Sequence, residues 1–210
     1  MFRVDKYERE PPGLLMLCFG AGALLTVPAM EIEKWAYTQL LPYEGRVVTT
    51  FLMAFVAVAI NEECCKFLAL RTTAFPWSFF NEPLDGIVYA VMVAMGFASV
   101  ENIFYAYRFG FETVLTRAFT AVPAHAVFAV VQGYYMGLAK FDVPNRRKLL
   151  RKGLVLSIVL HGAYDFLIIQ HWSPWLLVLG SCCLYLSIFY CSSLVRIHLE
   201  GSPFKRENRS

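Results

Sequence analysis

The sequence predicts an all-α, polytopic transmembrane helical bundle of about six spans, with the N- and C-termini in the cytoplasm. Three observations carry that fold class. The 210 residues are 58% hydrophobic and only 17% charged, against about 45–50% apolar and about 25% charged in soluble domains. The apolar residues gather into six runs, each close to the length that spans roughly 30 Å of hydrocarbon. Lys and Arg are distributed very unevenly between alternate sides of those runs. A soluble globular domain, a disordered chain, a disulfide-rich secreted module and a DNA-binding domain are excluded, and the net charge of +3 is too small to call for nucleic acid. The partners this composition leaves are the lipid bilayer and other membrane proteins.

The spans read in order as Leu14–Met30, Val47–Leu70, Leu84–Tyr107, Phe119–Leu138, Leu154–Gln170 and Pro174–Val195. All are helical, because continuous apolar runs lack the alternation of a barrel strand and a helix satisfies its own backbone in lipid. Breakers separate them: Pro42, then Pro76 and Pro83, Gly110, Pro144 with Asn145, and Ser173 with Pro174. Met1–Glu10 carries charges of both signs, unlike the n-region of a signal peptide, so the run from Gly13 reads as a first anchor. The chain reads as a single integral membrane domain over residues 1–210, with a catalytic core about 47–170. Six cysteines (Cys18, Cys64, Cys65, Cys182, Cys183, Cys191) lie inside apolar runs without a CxxC and read as small packing residues.

One side collects 14 basic residues: Arg3, Lys6, Arg9, Arg71, Lys140, Arg146, Arg147, Lys148, Arg151, Lys152, Arg196, Lys205, Arg206 and Arg209. The other has 4, namely Lys34, Arg46, Arg108 and Arg117, and Lys66 lies within a span. Basic loops stay cytoplasmic, which places both termini there. The stretch Arg146–Lys152 reads as a basic loop that would meet anionic head groups.

Glu62, Glu63, Lys66, Glu101, His125, His161 and Asp165 sit inside the apolar runs. Their insertion costs on the order of 10 kcal/mol before pairing, and such residues normally face a bundle interior and mark a function. Glu62 and Lys66 share one helix face at i,i+4 and can neutralise each other. His161 and Asp165 have the same spacing, which lets the carboxylate fix the imidazole. Each group alone has a structural explanation, whether an ion pair, an interhelical hydrogen bond or a capped histidine. Four helices each contributing one polar element resemble a site assembled in a bundle core.

Glu-Glu-x-x-Lys at Glu62–Lys66, Phe-x-x-x-Glu at Phe97–Glu101, Pro-x-His at Pro123–His125 and His-x-x-x-Asp at His161–Asp165, in this order, resemble the PrsW family of intramembrane proteases. That family belongs to a superfamily with CAAX prenyl endopeptidases and bacteriocin-processing membrane proteins. The resemblance covers about residues 50 to 170 and implies hydrolysis of a peptide bond in a membrane-anchored protein of the bacterial plasma membrane. In bacterial members this is typically the first, extracytoplasmic cut of an anti-sigma factor.

Peptide hydrolysis needs an activated water, an oxyanion stabiliser and an acid for the leaving amine. Two arrangements fit. In one, Glu101, His125 and His161 bind Zn²⁺, Asp165 holds His161 or serves as a fourth ligand, and Glu62 or Glu63 takes the proton of the attacking water. Lys66 then compensates the glutamate pair. In the other there is no metal: a glutamate and a histidine activate water while His161 and Asp165 steady the oxyanion, as in the prenyl endopeptidases. Glu101 stands where those relatives have a histidine, and an additional buried carboxylate favours the metal. A proton-coupled transporter and a non-catalytic scaffold are the rival readings. The first would show symmetry between its halves, which is absent from this sequence. Spacing leaves open which glutamate faces the site. It also sets Glu62 and Glu63 about one to two turns too deep relative to Glu101 and His125, at 1.5 Å of rise per residue. Gly96, Gly133, Gly137 and Gly162 suit close helix approach or a gate, and Tyr89, Tyr134 and Tyr164 are either cavity-lining or packing residues.

Overall fold

A computed structural model describes residues 8–170 and 172–205. Among these residues there is no strand, and six helical segments are long and apolar enough to cross a membrane. Arg3, Lys6, Arg206 and Arg209 of the charge count, with most of the Met1–Glu10 segment, lie outside the described residues.

Helix α1 (Pro12–Leu40) opens on a proline at its first position, where no intrahelical N–H is required. It runs ten residues beyond Met30, past the internal Pro28. The second span, Val47–Thr73, has three parts: α2 (Val47–Phe51), a π-helical stretch over Leu52–Ile60, and α3 (Asn61–Thr73). A π-turn holds more residues for the same climb, so this stretch draws Glu62 and Glu63 towards the Val47 end. That shift is in the direction that the depth offset read from the sequence requires, and amounts to less than one turn.

Helix α4 (Pro83–Phe109) starts at a capping box in which Glu82 and Asp85 satisfy each other's backbone N–H groups. It stops at Gly110, whose φ of 85° lies in the left-handed region that glycine adopts without strain. A short amphipathic helix, α5 (Phe111–Phe119), follows at once with Phe111, Leu115 and Phe119 exposed. Then come α6 (Ala121–Phe141), α7 (Arg146–Ile169) and α8 (Pro174–Glu200). The basic stretch Arg146–Lys152 forms the first two turns of α7 rather than a loop. Its start is tied down by Asn145 N–H donating to Asp142 (3.1 Å) and by Arg146 Nε donating to the Ala139 carbonyl (3.0 Å).

Helix α4 is the centre of the bundle and the most buried span, packed on α1 along one side and α6 along the other. Glycines make both contacts possible. A Cβ at Gly22 would overlap the Val93 carbonyl, and one at Gly96 would overlap that of Phe19. Between them Thr26 donates to the Gly22 and Phe97 carbonyls at 3.0 and 3.3 Å, closing the α1–α4 seam. At Gly133 and Gly137 the facing atoms are backbone of α4 and its first residue Pro83, and at Gly162 the ring of Phe55. The glycines singled out in the sequence therefore serve close approach. All six cysteines are free thiols.

Candidate active site

The polar residues of four helices converge in the bundle, and all but one of the seven named above are buried. At the centre stands Lys66 on α3. Its Nζ lies 2.8 Å from Glu62 Oε2, 2.9 Å from Glu63 Oε1 and 3.0 Å from His125 Nδ1 on α6. The ammonium also lies 4.6 Å from the ring centroid of buried Phe97, a favourable position for a desolvated cation. Glu63 Oε1 is 2.9 Å from His161 Nδ1 on α7, and His161 Nε2 is 3.2 Å from Asp165 Oδ2. On the other flank His125 Nε2 is 2.9 Å from Glu101 Oε2 on α4, and Glu101 Oε1 is 2.7 Å from Arg117 Nη2 on α5. These contacts make one continuous chain from Arg117 to Asp165.

Two rings and an amide fix the frame. Phe128 stacks on His161 with centroids 4.7 Å apart. Gln132 donates to the main-chain carbonyl of Glu63 (3.3 Å) and to Ser157 (3.1 Å), joining α6 to α3 and α7. Asn61 donates to the Ala29 carbonyl (2.8 Å) and to Glu33 (3.3 Å), joining α3 to α1 just before the glutamate pair. The exposed edge of the cluster is Asp165 and Arg117, whose side chains are 18% and 15% exposed. One turn beyond Asp165, Ile169 lines a small cavity with Tyr37, Thr49, Thr50 and Met53.

Among the described residues, two groups of side chains could hold a metal ion: Glu62, Glu63 and His161, and Glu62, Glu101 and His125, each with ligand atoms within 4.8 Å of one another. The trio Glu101, His125 and His161 is not among them, and Glu62 is the residue common to both. The donor set suits a divalent cation on two counts. Its four carboxylates, Glu62, Glu63, Glu101 and Asp165, face two fixed cations, Lys66 and Arg117, an excess of negative charge that remains even when His161, with a carboxylate at each ring nitrogen, is protonated. Glu63 Oε2 is buried without a hydrogen-bond partner, a condition that is costly for a carboxylate oxygen.

The sequence model of the PrsW family, described as intramembrane metalloprotease, matches residues 10–195. The chain belongs to that family. It is 39% identical over 165 residues to the protein named Protease PrsW of Geobacillus kaustophilus, covering 79% of this chain and 71% of that protein. It is 34% identical to the Bacillus subtilis protein of the same name (82% and 78% covered) and 33% identical to that of Clostridioides difficile (83% and 75%). No solved structure matches the chain. Membership makes it an intramembrane protease, and the six spans with bacterial relatives make it an integral protein of a bacterial membrane.

Within this PrsW-family site, three contributors escaped the sequence reading. Arg117 counted only as an external charge, and nothing in its spacing to Glu101 across the Gly110 break signals a pair. Glu33 fell beyond the expected end of the first span. Gln132 is a neutral residue on an apolar helix, and its polarity was the available signal. Tyr89 does not line the site: its hydroxyl bonds Glu10, and it lies about 18 Å along α4 from Glu101. Tyr134 packs edge-on against His198. Tyr164 packs on Phe128, which itself covers His161.

Proposed function

We propose that the chain is a zinc-dependent intramembrane endopeptidase that hydrolyses a peptide bond of a membrane-anchored protein with a glutamate-activated water. The observation that carries this reading is Glu63. One carboxylate oxygen is held by Lys66 and His161, while the other is buried and unpartnered. A general base needs a fixed carboxylate with a free lone pair, and Glu63 Oε2 supplies that lone pair. The ion would be held by His125 and His161 with carboxylate oxygens from Glu62 or Glu63. When bound, zinc acts as a Lewis acid and lowers the pKa of a coordinated water to about 7.

Glu63 Oε2 takes a proton from the water as its oxygen attacks the scissile carbonyl carbon, and gives that proton to the amine nitrogen as the C–N bond breaks. Lys66 holds Glu62 and Glu63 together and offsets their charge. Asp165 orients His161 through Nε2. Both termini are placed in the cytoplasm by the excess of basic residues on that side, and the cut is extracytoplasmic. The resemblance to bacterial members implies an anti-sigma-factor-like substrate.

The test is cleavage of a tethered single-span reporter. Glu63→Gln is expected to lower the rate about 10²–10⁴-fold, and removal of metal by a chelator is expected to abolish cleavage until zinc is restored. A scaffold or transporter would leave the reporter intact. A metal-free mechanism has one observation of its own, the ammonium of Lys66 already seated among Glu62, Glu63 and His125. Cleavage that persists in a protein shown to contain no metal would establish it.

A further inference from the structure

We propose that Glu101 and Arg117 form a positioning pair for His125, the counterpart of Asp165 for His161, and that Glu101 is not a metal ligand. The zinc part of this inference rests on the function proposed above; the positioning part does not.

Hydrogen-bond logic at His125 comes first. A lysine ammonium can only donate, so His125 Nδ1, 3.0 Å from Lys66 Nζ, accepts. A neutral imidazole then carries its proton on Nε2, which donates to Glu101 Oε2 at 2.9 Å. His161 has the same orientation: Nε2 faces an outer carboxylate, Asp165, and Nδ1 faces Glu63. Both rings therefore turn Nδ1 towards the glutamate pair and Nε2 towards an acid that lies outside it. A carboxylate on the far ring nitrogen is the usual means of fixing a metal-binding histidine's tautomer and orientation.

Glu101 is already engaged through both oxygens. Oε2 takes the His125 proton, and Oε1 is ion-paired with Arg117, whose Nη2 lies 2.7 Å away. Arg117 is clamped in turn, with Nε donating to Asn102 Oδ1 at 2.7 Å and Cζ 3.8 Å from the centroid of Tyr105. By contrast, Glu63 keeps an oxygen with no partner. The inner acids are thus the ones left for a cation, and the outer acids hold the rings. Arg117 is delivered by α5, an exposed helix that follows the bend at Gly110, so His125 is fixed only while α5 is seated.

The experiment uses the detergent-purified full chain with ¹⁵N-labelled histidine. Correlation spectra of the ring nitrogens should place the His125 proton on Nε2 in wild type and in Glu101→Gln, whose amide oxygen still accepts. Arg117→Met and Glu101→Ala should release the ring into mixed tautomers. Zinc affinity, measured by competition with a chelator, should stay close to wild type in Glu101→Gln and weaken about 10–100-fold in Glu101→Ala and Arg117→Met. The double variant should be no weaker than Glu101→Ala alone, and Arg117→Lys should recover part of the loss. Loss of zinc binding in Glu101→Gln, or a His125 proton on Nδ1, overturns the proposal. If wild type neither binds zinc nor cleaves a reporter, the zinc reading falls and the His125 tautomer decides the positioning role on its own.

Discussion

Lys66 donates to Glu62, Glu63 and His125 at once while fully withdrawn from solvent. Removing one partner of such a buried set leaves uncompensated charge, which costs about 3–5 kcal/mol. Lys66→Met is therefore expected to lower stability by that amount, read as thermal unfolding in detergent. Lys66→Arg is not expected to rescue it, because a planar fork does not match three ligands gathered around one point. The partners of Lys66 within α3 were legible in the sequence, as was the His161–Asp165 pair, because one helical turn fixes each at i,i+3 or i,i+4. The contact of Glu63 with His161 spans 98 positions and depends on how α3 packs against α7. Identity and spacing do not contain it. Arg117 was less legible still, since it reaches Glu101 only by folding back at Gly110.

The long apolar helices were the easiest elements to read, and their ends the hardest. Hydrophobicity marks where a helix is in lipid, but it does not mark where the helix ends: α1 continues to Leu40 and α7 begins at Arg146. The π-helical stretch has no signature in composition: Leu52–Ile60 is as apolar as any span, and its wider turns show only in the backbone. Seams between elements make sharper predictions. Gly96→Val puts a branched side chain against the Phe19 carbonyl, and overpacking of this kind typically costs about 1–3 kcal/mol. The expected outcome is a lowered melting temperature and a displaced α1. Thr26→Val, which keeps the shape and loses the single hydroxyl proton shared between two carbonyls, should cost less, about 0.5–1.5 kcal/mol.

For the whole molecule, the fold class followed from composition and from the length and continuity of the apolar runs, because a bilayer admits so few architectures. Orientation is a separate matter, resting on charge placement. Single cysteines at Asn145 and Ser173, in a variant without native cysteines, should label from opposite faces with an impermeant maleimide. Asn145 is expected to react only after the cytoplasmic side is opened, and the reverse pattern would invert the topology and place the cut on the other face. The glycine seams also limit the route of a substrate. Where α1 meets α4, and α4 meets α6, glycines bring main chain against main chain, and the side chains between them, such as Thr26 and Ala90, are short. Those two joints are masonry rather than doors, and a visiting polypeptide must approach the glutamates from another stretch of the perimeter.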